Sequence, residues 1–138
     1  MTVEATHIHE SMSLDASFAS GAAANPADDL TTNRLWATYY FRRKIGATIA
    51  YFSTTGSTDT LLYPAAQPGT PGVITSANGA PDTRGVITEV NYLPWLNVKL
   101  SAQYTHFSKF NGGSTNYDGV GRNASDNDTW YLLVWFAY

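Results

Sequence analysis

Two histidines in alternate positions, a histidine two residues before a serine, and one acid-rich loop are where this chain could do chemistry. His7 and His9 would project from the same face of any strand that carries them. Paired imidazoles can ligate a transition metal, but a metal site needs a third ligand, and none is evident here. His106 and Ser108 have the residue types of a base and a nucleophile. On one strand their Cα atoms would lie about 6–7 Å apart, and no acidic orienter or oxyanion loop is visible beside them.

The loop from Asp118 to Asp128 is rich in oxygen ligands. It lacks the ordered spacing and terminal Glu of an EF-hand, so turn formation is the simpler role. Gly119 and Gly121 precede no helix and make no dinucleotide motif. The chain has no cysteine, which removes disulfides, thiolate metal sites and covalent haem attachment. No catalytic residue, metal or cofactor is expected, and the chain reads as a non-enzyme. The formal net charge is −3, so nucleic acid is not an expected partner.

The elements that would position these residues show period two. Leu96, Val98, Leu100, Ala102 and Tyr104 alternate with Asn97, Lys99, Ser101, Gln103 and Thr105, giving one apolar and one wet face. Leu35, Ala37, Tyr39 and Phe41 oppose Arg34, Trp36, Thr38, Tyr40 and Arg42. Ile45, Ala47, Ile49 and Tyr51 oppose Lys44, Gly46, Thr48 and Ala50. Val86, Val90 and Tyr92 oppose Glu89 and Asn91, and Met12, Leu14, Ala16 and Phe18 alternate with Ser11, Ser13, Asp15 and Ser17. The last segment is apolar on both faces.

These patterns predict an all-β chain of about seven strands, near 2–9, 11–20, 31–42, 44–54, 83–94, 96–108 and 128–138, with bounds good to about two to four residues. Tight turns are expected near Glu10, Arg43 and Pro94-Trp95, and long loops at 21–30, 55–82 and 109–127. The loops hold most breakers, including Asn25-Pro26, Pro68-Gly69, Pro71-Gly72, Asn78-Gly79 and Asn111-Gly112-Gly113, as turn chemistry requires. Short turns at one end and long loops at the other are the habit of outer-membrane barrels. Charged residues make up only 14% and aromatics also 14%, which suits such a wall. Mean hydropathy is −0.22, compatible with strands apolar only at alternate residues. No stretch approaches the roughly 20 apolar residues of a membrane-spanning helix.

With about seven strands and the long loops outside, Met1 would sit at the external end of its strand. Bacterial single-chain barrels have an even strand count. The expectation is therefore a single β-barrel segment over 1–138 with N-terminal strands missing.

The ending Trp130-Tyr131-Leu132-Leu133-Val134-Trp135-Phe136-Ala137-Tyr138 resembles the C-terminal signature of Gram-negative outer-membrane β-barrel proteins. Tyr138, Phe136, Val134, Leu132 and Trp130 match its alternate apolar positions, with Tyr in place of the usual final Phe. The stretch from Tyr92 to Tyr138, including Gln103-Tyr104-Thr105 and Lys109-Phe110-Asn111-Gly112, is similar to an uncharacterised group of proteobacterial porin-like proteins, some with cytochrome-related labels. The resemblance implies an antiparallel up-and-down transmembrane β-barrel in the cell outer membrane and passive passage of small solutes or ions. It also implies that the barrel-assembly machinery recognises the C-terminal strand.

On that reading Arg34, Trp36, Thr38, Tyr40, Glu89, Asn91, Lys99, Ser101, Gln103 and Thr105 line the lumen. Both charge signs occur there, so no strong ion selectivity follows. Phe41, Tyr51, Tyr92, Trp95, Tyr104, Trp130, Phe136 and Tyr138 face lipid as girdles at headgroup depth, with Phe107 another aromatic near a strand end. The loop 55–82 either folds inward to constrict the pore or shields its rim. The partners are outer-membrane lipid and small solutes, and a homo-oligomer is compatible. Two alternatives stand: a soluble ligand-binding barrel of lipocalin or streptavidin type, with its apolar faces inward, and a structural barrel sheathing an electron-transfer partner.

Overall fold

Six strands in sequence order build one antiparallel meander, β1-β2-β3-β4-β5-β6. The computed structural model describes residues 1–64 and 76–137. The strands are β1 (Thr2–Ser13), β2 (Ala27–Phe41), β3 (Ile45–Gly56), β4 (Thr83–Tyr92), β5 (Val98–Lys109) and β6 (Thr129–Phe136). A short helix α1 (Asp15–Ala19) follows β1, and a 3-10 turn (Ala124–Asn127) precedes β6. The sheet is open, with β1 and β6 at its edges. Packing between strands runs through sequence neighbours, and the 3-10 turn rests on β5. No described helix is long and apolar enough to cross a membrane, which says nothing of strands.

The count of six corrects the expected seven. No turn occurs at Glu10, which pairs with Leu30 inside one continuous strand. No Gly, Pro, Asn or Asp falls between Thr2 and Ser13, so no turn residue ends the strand at Glu10. The predicted strand over 11–20 keeps only its first three residues as strand, and Asp15–Ala19 is helix. Leu14 to Ala19 contains no β-branched residue, and its alternation of small and apolar residues suits a helical turn equally well. Asp15 in the first turn favours the helix further. With six strands, Met1 lies at the end of the sheet with the tight turns, not at the loop end: Thr2 pairs with Thr38 and Phe41 with Ile45.

The tight turns have distinct chemistry. Arg42 and Arg43 both take positive φ, 49° and 57°, and Lys44 N–H donates to the Phe41 carbonyl at 3.1 Å. Three residues thus join the paired Phe41 and Ile45, and the β-turn within them has both central residues at positive φ, positions normally filled by Asn-Gly. Between β4 and β5, Asn97 takes a φ of 72° and Val98 N–H donates to the Trp95 carbonyl. Leu93 N–H donates to the Lys44 carbonyl at 2.8 Å, tying the two turns together.

At the other end, three long segments interlock. Asp29 N–H donates to Ser57 Oγ, and Ser57 N–H returns to the Asp29 carbonyl. Ala77 N–H donates to the Asn111 carbonyl and Gly112 N–H to the Asp82 carbonyl. The Pro68-Gly69 and Pro71-Gly72 turns, the middle of the expected 55–82 constriction, and Tyr138 lie outside the described residues.

Candidate functional site

The registers sort the side chains into two faces. On one face the cross-strand rows read Thr38–Thr48–Glu89–Gln103–Tyr131, Tyr40–Gly46–Asn91–Ser101–Leu133 and Trp36–Ala50–Ile87–Thr105–Thr129. Arg34 pairs with Phe52 and Lys99 with Trp135 on the same face. All ten residues expected to line a lumen therefore share one face, and the registers bring them into adjacent rows.

That face is linked by polar contacts. Ser101 Oγ donates to Asn91 Oδ1 at 2.5 Å, with Asn91 only 2% and Ser101 8% exposed. Thr38 and Thr48 hydroxyls meet at 2.9 Å, and Thr32 and Thr54 at 3.0 Å. Lys99 Nζ lies 3.7 Å from Glu89 Oε1. Small residues sit beneath large neighbours: a side chain at Gly46 would meet the Tyr40 ring, so glycine is required where that ring crosses the sheet. The partition is not perfect, since Tyr131, Leu133 and Trp135 bring apolar groups to this face at the β6 edge.

The opposite face carries Val3, Ala5, Leu35, Ala37, Tyr39, Phe41, Ile45, Ala47, Ile49, Tyr51, Val86, Val90, Tyr92, Leu100, Ala102, Tyr104, Trp130, Leu132, Val134 and Phe136. Most large side chains here are exposed, Leu132 by 74%. Of the expected girdle residues, Phe41, Tyr51, Tyr92, Tyr104, Trp130 and Phe136 occupy this face, and Trp95 is exposed in its turn. Phe41, Tyr92 and Phe136 lie toward the tight turns, and Tyr51, Tyr104 and Trp130 toward the loops. The Tyr104 and Trp130 rings pack at 4.9 Å.

Phe107 corrects the expectation. It pairs with Gly85 on the polar face, beside a register shift at Arg84 and Gly85, and packs edge-on against Phe52 and Phe110. Glycine at 85 leaves room for the Phe52 ring and the His106 carbonyl, which a side chain would strike.

Above the loop-side aromatics the same face turns polar. His7 Nδ1 meets Asn33 Oδ1 at 2.8 Å, His9 Nδ1 meets Thr31 Oγ1 at 3.1 Å, and Ser11 Oγ donates to Asp29 at 2.6 Å. The two histidines share a face as the spacing required. No group of three potential ligands occurs among the described residues.

His106 does gain an acidic partner that the sequence hid. Asp128 Oδ2 lies 2.8 Å from His106 Nδ1 and accepts from Tyr104 Oη at 2.6 Å, while Oδ1 accepts from Phe107 N–H. Ser108 Oγ donates to the Arg84 carbonyl at 3.3 Å instead, so the three do not assemble a nucleophile with its base. Burial pushes the Asp128 carboxyl up, but the bonds from His106, Tyr104 and Phe107 N–H outweigh it and hold it below the usual range. The group works as an anchor joining the third loop to β5.

Asp59 does the same for the other loops. It is 0% exposed; Oδ2 accepts from Ala24 and Asn25 N–H, and Oδ1 from Leu61 and Leu62 N–H. Burial alone would raise this carboxyl; the four donors prevail and keep it low. Asn25 Nδ2 bridges Asp28 Oδ1 and the Thr58 carbonyl. In the acid-rich loop, Asp118 Oδ1 accepts from Val120 and Arg122 N–H, and Asn116 Oδ1 from Gly121 N–H. Those oxygens shape turns, as the sequence suggested. Comparison with protein-family models, curated proteins and solved structures returned no match to this chain.

Proposed function

We propose that this chain forms part of the wall of an outer-membrane antiparallel β-barrel, with its apolar face toward lipid and its polar face around a passive conduit for small solutes or ions. The observation that carries this reading is the inversion of burial. Leu132 and most other large apolar side chains of one face are exposed, while Asn91, Ser101 and Thr48 on the other are buried. Water-soluble sheets bury the apolar face, whereas a lipid-spanning barrel exposes it.

Burial of polar residues with no second layer over them is what a sheet curled toward that face produces. Five of the six strands are ten to fifteen residues long, enough to cross at a tilt. Two aromatic levels bracket the apolar band, as interface girdles do. The C-terminal resemblance adds outer-membrane location and recognition of β6 by the barrel-assembly machinery.

A soluble ligand-binding barrel would need Leu96, Val98 and Leu100 in a closed core. Leu96 is 91% exposed and Leu100 is also exposed, which weighs against it. A sheath around an electron-transfer partner would use the same wall, and conduction separates the two. Extraction requiring detergent, heat-modifiable gel mobility and, for the complete barrel, discrete conductance in a planar bilayer are the expected results. A folded monomer soluble in plain buffer would overturn the membrane reading; insertion without conductance would favour the sheath.

A further inference from the structure

We infer that the tight-turn end of the sheet binds the phosphate headgroup of an anionic phospholipid, between the β2–β3 and β4–β5 turns. This rests on the membrane reading above and goes beyond it. Three of the chain's eight Lys and Arg residues, Arg42, Arg43 and Lys44, are consecutive at one turn. None of them has an acidic ion-pair partner among the described residues. Both arginines sit in the left-handed backbone region, where Asn or Gly would be cheaper by about 1–2 kcal/mol per residue. The turn alone therefore does not account for two arginines, and a strained non-glycine pair points toward a role for the side chains.

Their surroundings name the ligand. The Arg42 guanidinium lies 5.2 Å from the centre of the Phe41 ring. Phe41 belongs to the exposed apolar face, so this cation stands at the rim of the band, at headgroup depth. Arg43 and Lys44 line a hollow of about 270 Å³ with Leu93, Pro94, Trp95 and Leu96. Cations at one wall and an exposed indole and leucine at the other suit a molecule with an anionic head and a greasy body. Ile45 and Tyr92, the chain neighbours of Lys44 and Leu93, pair with each other on the apolar face, so an acyl chain would continue onto the apolar band. A free phosphate would use the cations but not Trp95 or Leu96.

The test uses the full chain, refolded into vesicles of phosphatidylcholine alone and of equal parts phosphatidylcholine and phosphatidylglycerol. Retention of phosphatidylglycerol through detergent exchange is read by mass spectrometry. The decisive variant is Arg42→Asn with Arg43→Gly, which supplies the residues this turn favours and removes two cations without harming the fold. Charge near an anionic surface is worth about fivefold per cation, so the pair should lower the phosphatidylglycerol preference about thirtyfold. The control, Arg84→Gln with Arg122→Gln, removes the same charge elsewhere and should leave the preference in place. Insertion with no preference, or a preference that survives in the turn variant or falls equally in the control, overturns the inference while leaving the membrane reading intact. Failure to insert in either vesicle overturns that reading and this inference with it. Abolition of the preference by millimolar inorganic phosphate would identify a free-anion site and overturn the lipid assignment.

Discussion

Asp59 is the residue on which the loop layer turns. Its carboxylate is the shared acceptor for N–H groups of two segments, Ala24-Asn25 and Leu61-Leu62. Leaving buried donors without an acceptor is costly even where the bond itself contributes little. Asp59→Ala should therefore raise amide exchange at those four residues by about tenfold or more, with exchange in β3 and β4 unchanged. Equal acceleration in the strands would mean that Asp59 supports the whole fold rather than the loops. Asp128 plays the corresponding part for the third loop. Neither role is legible in the sequence, because the partners are distant: Asp59 reaches back 35 residues to Ala24, and Asp128 reaches 22 to His106. Short carboxylates in loops read as turn formers, and only the folded chain reveals which distant amides they collect. Buried Asp28 raises a related point. Its Oδ2 has no hydrogen-bond partner among the described residues, although Asn25 holds the other oxygen.

At the level of the strands, the faces were readable in advance because the side-chain period is fixed at two. One clean run, Leu96 to Thr105, orders its strand, and the registers then carry the same division through β2, β3 and β4. The failures lie where period two has a competitor. Around Leu14 to Ala19 a helical turn satisfies the same residues. At Phe107 residue type competes with the period: plain alternation with Gln103 and Thr105 already puts this ring on the polar side, before the shift at Arg84 and Gly85, and only its aromatic character near a strand end suggests a girdle.

The division of faces predicts an asymmetric response to one substitution. Leu132→Arg places a cation in the middle of the apolar band, where about 2–4 kcal/mol should be lost. Gln103→Arg, on the polar face, should cost well under half of that. Reversible unfolding from lipid vesicles in denaturant measures both. A larger loss at Gln103 would mean that the faces are turned the other way.

Across the whole molecule, charge is partitioned along the strands. Asp15, Asp59, Asp82, Asp118, Asp126 and Asp128 all lie in the loop-end connections, whereas the tight turns carry Arg42, Arg43 and Lys44 and no acid. Four of those carboxyls sit below their usual value. Burial works against ionisation in each, but backbone N–H donors at Asp59 and Asp118, Lys109 at Asp82, and His106 at Asp128 overcome it. A carboxyl whose folded value is depressed stabilises fully above its unfolded value, here 3.8, and loses that contribution as pH falls through the lower folded value. Exchange protection at Leu62, Phe107, Val120 and Arg122 should thus hold from neutrality down to the ordinary carboxylate range and fail below it, with the strands intact. Loss of protection already between neutral and mildly acid pH would assign the effect to some other group.

The six-strand meander also restricts how its open sides can be joined. β1 runs from the tight-turn end toward the loops and β6 runs back, so the two flanks of this panel point in opposite directions. Any ring that keeps every neighbour antiparallel must therefore add staves in pairs. Pairing the two flanks directly, or through any even number of further staves, leaves every seam antiparallel, while a lone additional stave would force one seam in which both members run the same way.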